Sequence, residues 1–271
     1  MREIAVCICT FERVAGLRAL LDGIERQRLA QLSGDRVEVI VVDNSPSASA
    51  SEACSAYAAG WRFPLRYVHE PRKGLTFARN TALSTALESG AALIAFIDDD
   101  EMPEPNWLET LVERIRATGA AAAVGPVYPI FEGMPPSWLP VDAYTTKQSE
   151  QGGFVDMGHT GNSIFDATVL RSTGLSFNPR YNATGGEDTI FFKQLHGRGL
   201  KIAWAQHAIA HETVPRQRMS AKWLWLRWFR TGEVEAHLGS ADPASAKGRL
   251  ISLARGACPR RRGRLALPWA R

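Results

Sequence analysis

Apolar and polar positions alternate along the first half of the chain in blocks of strand and helix length. Four short apolar runs are candidate strands: Ile4–Cys9, Val37–Val42, Leu65–Val68 and Leu93–Ile97. Apolar residues recur at helical spacing in three further segments: residues 17–24, Thr76–Leu87 and Pro105–Ile115. Strands that are apolar almost throughout, with helices between them, indicate an α/β fold whose mostly parallel sheet is covered on both faces.

The second half of the chain is less regular. Neither periodicity persists between Pro126 and Gly161, where the Gly- and Pro-rich segment Gly133–Trp138 is typical of a long functional loop. Helical patterns return in two segments: Asp188–Leu195 and Ala221–Arg230. We therefore predict a main domain of residues 1–215 and a C-terminal helical extension of residues 216–271.

The chain is basic, and its positive charge is concentrated near the C-terminus. The net charge of the whole chain is +4. Residues 222–271 hold eleven Lys and Arg against three Asp and Glu, a balance of +8, so the preceding 221 residues sum to −4. A basic tail on an acidic body suggests an anionic partner for the tail.

Tryptophan is frequent in the same basic region. Trp223, Trp225 and Trp228 are interspersed with Lys and Arg, and the Arg-rich segment Pro259–Trp269 follows. Aromatic and basic residues together suit the headgroup layer of an anionic membrane. Buried tryptophans would instead pack a final helix onto the main domain. We expect such packing for most of the tryptophans and a peripheral membrane contact for the Arg-rich end.

Length and composition exclude some classes of protein. The run Ala91–Ile97 is far shorter than the roughly 20 apolar residues that a membrane-spanning helix needs. The N-terminal segment has neither the apolar stretch nor the cleavage site of a secretory signal, so we expect a cytoplasmic protein. The four cysteines are too sparse for a disulfide framework and are expected to be reduced core residues: Cys7, Cys9, Cys54 and Cys258.

Three consecutive aspartates follow the fourth predicted strand. In an extended segment Asp98 and Asp100 fall on one face and Asp99 on the other. Two carboxylates at the carboxyl end of a strand suit Mg²⁺ or Mn²⁺, which is completed by water and substrate phosphates. A solvated acidic turn would have the same sequence, so the triplet alone leaves both interpretations open.

A second acidic pair, Glu187-Asp188, follows two glycines and begins a predicted helix. Acidic residues in a first turn stabilise a helix through its dipole, which explains the pair without any chemistry. They could also reach into a cleft, where one of them would serve as a general base. Upstream, Lys73-Gly74 and Arg79 surround another helix start, a typical cradle for a diphosphate or simply a charged loop.

Taken together, these segments resemble the motifs of family 2 glycosyltransferases. They occur in the order and spacing of that family over residues 3–230, and the version here is similar to bacterial enzymes of exopolysaccharide assembly, such as those building succinoglycan. The matching segments are Ile4–Arg13, Val39–Asn44, Lys73-Gly74 with Ala78–Asn80, Phe96–Glu101 with Pro105–Leu108, and Gly186–Asp188.

The resemblance implies the GT-A fold, a Rossmann-like α/β sandwich, and an inverting, metal-dependent transfer of a sugar from a nucleotide-diphosphate donor. It implies Asp188 as the catalytic base and Asp100 as a ligand of Mn²⁺ or Mg²⁺. His211 or Glu212 could supply a further metal ligand or acceptor contact, although a lone histidine is more often structural. The acceptor would be a glycan or a lipid-linked saccharide. The residues implied in donor binding are Thr10, Asp43, Lys73, Gly74, Arg79, Asp98, Asp99, Gly161, Asn162 and Glu187.

Three side chains have open roles by this resemblance. Arg216 and Arg218 would close over the diphosphate or remain solvated, and Trp138 would stack on a sugar or pack within the loop. Two other functions agree with parts of the sequence. A nucleotidyltransferase needs a Gly-rich phosphate loop beside its first strand, which Cys9–Arg13 does not offer. A nucleic-acid-binding protein would use the basic tail but leave both acidic clusters unexplained, so no nucleic-acid partner is expected.

Overall fold

The computed structural model describes residues 3–58, 60–146, 150–182 and 185–240. The chain forms two units, residues 1–226 and residues 227–271, which are described separately. The division expected after residue 215 therefore lies within the first unit. The second unit is described only over residues 227–240, which continue the last helix, and the Arg-rich segment at residues 259–269 lies outside the described residues.

Strands and helices alternate regularly only in the first half of the chain. The strands are β1 (Glu3–Thr10), β2 (Arg36–Asp43), β3 (Leu65–His69), β4 (Leu93–Asp98), β5 (Glu101–Pro103), β6 (Ala122–Val124), β7 (Val127–Phe131), β8 (Phe154–Val155), β9 (Asn162–Asp166), β10 (Ile202–Trp204) and β11 (Ala210–Val214). The helices are α1 (Val14–Glu25), α2 (Ser51–Ala58), α3 (Leu75–Glu88), α4 (Trp107–Thr118), α5 (Ala167–Thr173), α6 (Glu187–Gly197) and α7 (Ala221–Ser240). All four predicted strands and the predicted helices are confirmed.

The central sheet has eight strands in the order β3-β2-β1-β4-β9-β6-β10-β8. Its first four strands pair in parallel, and β9 joins β4 and β6 antiparallel. Strand β1 is almost entirely apolar because both of its faces are buried. Ile4, Val6 and Ile8 pack on one face of the sheet, and Ala5 and Cys7 pack on the other. The mostly parallel α/β sheet predicted from the apolar runs is therefore confirmed.

The order of the strands places the polar strand ends together. Strand β1 lies between β2 and β4, and in the register of the sheet Thr10 is beside Asp43 and Cys9 is beside Asp98. In open α/β sheets, ligands bind outside the carboxyl ends of the strands at such a topological switch point.

A second, three-stranded sheet has the order β5-β11-β7. Strand β5 follows the aspartate triplet, and its antiparallel pairing with β11 sets Glu212 opposite Glu101 and His211 opposite Met102. Strands β7 and β8 lie within the segment expected to be irregular between residues 126 and 161, so that expectation was wrong in part. The small sheet carries residues 101 and 212 to the same edge as the ends of β1 and β4.

Helix α7 differs from the expectation that most of its tryptophans are buried. Leu224 is buried, and Trp223 stacks on Tyr144 with 5.6 Å between ring centroids. Trp225 is 62% exposed, because the next position on a helix turns about 100° away from a buried neighbour. In the second unit Trp228 is also more than half exposed. None of the described helices is both long and apolar enough to cross a bilayer.

Candidate active site

A cavity of about 560 Å³ opens at the carboxyl ends of β1 and β4. Residues from at least eight parts of the chain line it. From the two strand ends and the turn after β4 come Cys9, Thr10, Phe11, Arg13, Asp98, Asp99, Asp100 and Glu101. From the loops and helices around them come Asn44, Lys73, Gly74, Leu75, Ala78, Thr146, His159, Gly161, Asp188, Glu212 and Arg218.

The aspartate triplet does not have the alternating geometry expected of an extended segment. Strand β4 ends at Asp98, and residues 99–100 form a turn before β5. The turn directs Asp99 inward, where the hydroxyl of Thr10 donates a 2.8 Å hydrogen bond to its carboxylate and Arg13 donates one of 3.0 Å. Burial raises the pKa of Asp99 to about 6, against the opposing effects of these two donors. All three aspartates therefore line the cavity.

Glu101 adds a fourth carboxylate, and Glu212 of the neighbouring strand adds a fifth. Burial raises the pKa of Glu101 well above its usual range, and the charges of Asp98, Asp100 and Glu212 raise it further. The acidic cluster is thus only partly neutralised by the cations around it. It is the kind of cluster that takes up a proton or a cation.

Two arginines meet at Asp100. Arg13 donates to its carboxylate at 2.8 Å and Arg218 at 3.3 Å. Arg218 also pairs with Glu212 at 2.5 Å, so this side chain lines the cavity while Arg216 donates to the carbonyl of Glu132 instead. Of the two arginines that sequence analysis left open, only Arg218 reaches the acidic cluster.

Asp188 lines the same cavity from the second position of α6. The helix can begin abruptly because Gly186 has a φ of 84°, which favours glycine. Glu187, one residue earlier than Asp188, is buried and forms an ion pair with the equally buried Arg79. Arg79 also contacts Asp98 at 3.3 Å. Neither Arg79 nor Glu187 lines the cavity; they connect its two acidic sides.

The loop before α3 adds a further cation, Lys73, to the lining. Lys73 lies over the ring of Phe11 with 5.3 Å from its ammonium nitrogen to the ring centroid. Asn44, which sequence analysis did not assign, holds this loop. Its amide donates to the carbonyls of Glu70 and Arg72 and accepts a 2.7 Å hydrogen bond from the Gly74 amide. The Asp-Asn turn after β2 was a signal that could have identified it.

His159 is a second lining residue that the sequence did not single out. Burial lowers its pKa, although the neighbouring carboxylates of Asp188 and Asp98 act to raise it. The ring nitrogen Nε2 lies 3.3 Å from the carbonyl oxygen of Gly125. A neutral imidazole therefore faces the same space as Asp188. A histidine in an irregular segment gives no sequence signal of this kind.

Two further residues expected to bind the donor, Asp43 and Asn162, are enclosed in the protein. The carboxylate of Asp43 accepts hydrogen bonds from the backbone of Ser45 and Ala50 and from Tyr67. Burial acts to raise the pKa of Asp43, but these bonds hold it below its usual value. The amide of Asn162 is likewise fully used by neighbouring groups, and neither side chain lines the cavity.

His211 also lies outside the cavity lining, 3.2 Å from Glu104. Since successive side chains of a strand point to opposite faces, its neighbour Glu212 is the one that faces the acidic cluster. Trp138 is more than half exposed and does not line the cavity. Gly161 does line it, and its lack of a side chain lets Glu101 and Asp98 approach closely.

Comparison with known proteins agrees with this geometry. The model of glycosyl transferase family 2 matches residues 5–174, more than half of the chain. The succinoglycan biosynthesis protein ExoM of Rhizobium meliloti (strain 1021) is 33% identical over 237 residues, which cover 87% of this chain and 75% of that protein. The glycosyltransferase AglE of Haloferax volcanii is 23% identical over 93% of this chain and 78% of that protein.

Solved structures give the same result for the fold. The crystal structure of S. aureus TarS 1–349 in complex with UDP superposes with a TM-score of 0.58 at 17% identity. The superposition covers 79% of this chain but only 61% of that one, so this chain spans less than two thirds of the TarS fragment. The sequence match and the shared sheet together lead to one conclusion. The chain belongs to glycosyl transferase family 2, and it is a glycosyltransferase with the GT-A fold.

Proposed function

We propose that this glycosyltransferase moves a sugar from a nucleotide-diphosphate donor to a hydroxyl group of a glycan or lipid-linked saccharide, with inversion at the anomeric carbon. The observation that carries the proposal is the shared cavity. The aspartate turn, Asp188, Thr10, Lys73 and Gly74 all line it. A donor with a charged diphosphate and an acceptor hydroxyl would need these groups within one space.

Asp188 is the residue that we assign as the base. Its Oδ1 accepts a 2.7 Å hydrogen bond from the backbone of Thr189, which holds the carboxylate in place. Among the described residues no group donates to Oδ2, so that oxygen is available to accept the proton of the acceptor hydroxyl. The hydroxyl oxygen then attacks the anomeric carbon as the diphosphate departs, and a single displacement inverts the configuration. The neutral His159 would contact the same acceptor group.

The donor set at the aspartate turn fits a divalent cation. Asp98 and Asp100 present oxygen ligands to the cavity, and Glu101 lies beside them, with a pKa raised first by burial and then by the charges of Asp98, Asp100 and Glu212. The described residues hold no cluster of three His, Cys, Asp or Glu side chains suited to a metal ion. Mg²⁺ and Mn²⁺ do not require one, because they bind through one or two carboxylates plus substrate phosphates. Bound there, Mn²⁺ or Mg²⁺ would supply positive charge for the departing diphosphate.

The relatives suggest where to look for donor and pathway. ExoM is named for succinoglycan biosynthesis, and the solved TarS fragments are complexes with UDP and UDP-GlcNAc. We therefore place this chain in the synthesis of a bacterial exopolysaccharide and take UDP-sugars as the first donors to test. Thermal shift against a panel of UDP-, GDP- and dTDP-sugars with Mn²⁺ identifies the donor, because a ligand that binds only the folded state raises its melting temperature.

The decisive experiment measures release of nucleoside diphosphate from that donor. Asp188→Asn should lower the transfer rate at least about 100-fold, since a general base typically contributes that much or more. Asp156→Asn is the matched control, because Asp156 is strongly exposed and does not line the cavity. Chelation by EDTA should also stop transfer. Full activity in Asp188→Asn would reject the base assignment, and absence of donor binding across the panel would reject the donor class.

We also propose a peripheral contact between the C-terminal region and an anionic membrane. Exposed Trp225 and Trp228 on α7 and the basic balance of residues 222–271 support it. Vesicle flotation tests the idea with one variant that reverses four charges: Arg260, Arg261, Arg262 and Arg264. Binding to phosphatidylglycerol vesicles should fall in the variant. Unchanged binding would reject the contribution of the Arg-rich end.

A further inference from the structure

Among the described residues, three sets of hydrogen bonds or ion pairs connect α3 with the segment that leads to Asp188. The amide of Asn80 and the backbone of Phe177 exchange two hydrogen bonds of 2.8 Å. Arg79 pairs with Glu187. The third contact, made by Asn182, lies nearest to the cavity and has no part in the function described so far.

The side chain of Asn182 bridges two backbone groups of residues 73–76, the donor loop. Its Oδ1 accepts a 3.3 Å hydrogen bond from the backbone N–H of Thr76, and its Nδ2 donates a 3.2 Å bond to the carbonyl of Lys73. Thr76 lies in the first turn of α3, where backbone N–H groups have no partner within the helix. A residue 106 positions further along the chain therefore supplies the cap that α3 lacks at Gly74.

Gly74 shows how closely the two segments approach. Its φ is 142°, and a Cβ atom built on it would overlap the amide of Asn182. The donor loop thus needs glycine at this position both for its backbone conformation and for the space that Asn182 occupies. The Asn182 amide thus packs directly against Gly74. This contact sets the distance between Lys73-Gly74 and the chain six residues before Asp188.

We infer that Asn182 is a positioning residue that keeps the donor loop, residues 73–76, in register with the segment that carries Asp188. The inference rests on the proposed function, in which the loop holds the diphosphate and Asp188 takes the proton. Without Asn182 the donor loop and the segment that carries Asp188 would shift apart. The donor and the base would then both be present but no longer aligned. Reactions that depend on such alignment lose rate steeply when the reacting groups shift by about 1 Å.

Hydrogen exchange of the ligand-free full chain tests the connection itself. Asn182→Ala should speed exchange in two peptides, residues 73–78 and residues 187–192. Asn178→Ala is the matched control, because among the described residues its side chain accepts only from the backbone of Arg180, within its own segment. The control should change neither peptide. Gly74→Ala, which displaces Asn182 from the opposite side, should speed exchange in residues 187–192. The inference fails if the Asn182 variant changes only one peptide, or if the control changes both.

Kinetics of sugar transfer test the consequence. We expect Asn182→Ala to lower kcat about tenfold or more while the KM for the donor changes by less than about threefold. A raised donor KM with unchanged kcat would overturn the inference, because Asn182 would then serve donor binding alone. A wild-type enzyme that transfers no sugar from any donor would reject the proposed function, while the exchange experiment would still decide the connection.

Discussion

Arg79 of α3 and Glu187 at the start of α6 form a buried ion pair although 108 positions separate them in the sequence. Burial raises the pKa of Glu187, and the charge of Arg79 acts against this rise. The net rise shows that loss of solvent outweighs the attraction of Arg79 at this carboxylate. The neighbour of Glu187 is Asp188, and the second partner of Arg79 is Asp98. One guanidinium therefore sets the relative position of both acidic sides of the cavity.

Replacing Arg79 by leucine should destabilise the protein by about 3–5 kcal/mol, because it leaves a buried carboxylate without its partner. Without Arg79 the pKa of Glu187 rises further above its unfolded value, so stability is kept at low pH and lost as pH rises. Urea denaturation at pH 5 and pH 8 measures both effects. Arg180→Leu is the control, since Arg180 is exposed and its loss should cost less than about 0.5 kcal/mol. If both variants lost the same free energy of unfolding, the buried Arg79–Glu187 pair would not contribute more than an ordinary surface residue.

Gly161 gives a second prediction, about the acidic cluster. A Cβ atom at this position would lie 2.5 Å from Oε1 of Glu101 and 3.0 Å from Oδ2 of Asp98. Gly161→Ala should therefore displace both carboxylates and lower the transfer rate about tenfold or more, with an overpacking cost of about 1–3 kcal/mol. Steady-state kinetics and thermal denaturation measure the two. Gly197→Ala, in open space at the end of α6, should leave the transfer rate unchanged.

The strands around the site could be predicted because burial on both faces imposes a simple pattern. Strand β1 is apolar at every position from Ile4 to Cys9, and the polar residues that follow β1, β2 and β4 indicate the ligand edge of the sheet. These local features identified the edge where Thr10, Lys73 and the aspartates meet. Asp188 was predicted through the family resemblance, because the helix dipole alone also explains an acidic pair at the start of a helix.

The remaining site residues depend on contacts between distant segments. His211 and Glu212 are adjacent in a short strand, and alternation means that only one of them faces the cavity. The pairing of Glu212 with Glu101 decides which, and that register is not encoded locally. In the same way, nothing near Asn162 in the sequence indicates that Trp107 and two carbonyl groups will occupy its amide.

Glu70, in the loop before Lys73, gives a prediction about pH. Hydrogen bonds from Arg72 lower the pKa of Glu70 to about 2, against the opposing effect of burial. Since the folded pKa lies below the unfolded one, the stabilisation is present above about pH 4.5 and lost as pH falls toward 2. Its size should not exceed about 1–2 kcal/mol, because Arg72 is mostly exposed.

Urea denaturation of wild type and Glu70→Gln at pH 7 and pH 3 tests this expectation. The variant should be less stable than wild type at pH 7, and the difference should shrink at pH 3. Glu88→Gln, at an exposed position near the end of α3, controls for the loss of one negative charge. A difference between Glu70→Gln and wild type that is the same at both pH values would show that the ionised Glu70 does not hold the loop.

Asn162 distinguishes a structural role from a role in sugar binding. Its Oδ1 accepts a 2.8 Å hydrogen bond from Nε1 of Trp107, and its Nδ2 donates to the carbonyls of Pro126 at 2.9 Å and Ala208 at 2.7 Å. Asn162→Ala would leave three buried polar groups without this partner, each at a cost of about 1–3 kcal/mol before relaxation. We expect a total loss of about 3–5 kcal/mol in the free energy of unfolding, with an unchanged donor KM in the protein that remains folded.

Chemical denaturation and donor kinetics at low temperature measure these two quantities separately. Asn106→Ala is the matched control, because Asn106 is exposed beside Trp107 and its side chain makes no capping bond to α4. That variant should lose less than about 0.5 kcal/mol. A contact between Asn162 and the donor sugar would give the opposite result, a raised KM with little loss of stability. Such a result would mean that the amide leaves its three partners when the donor binds.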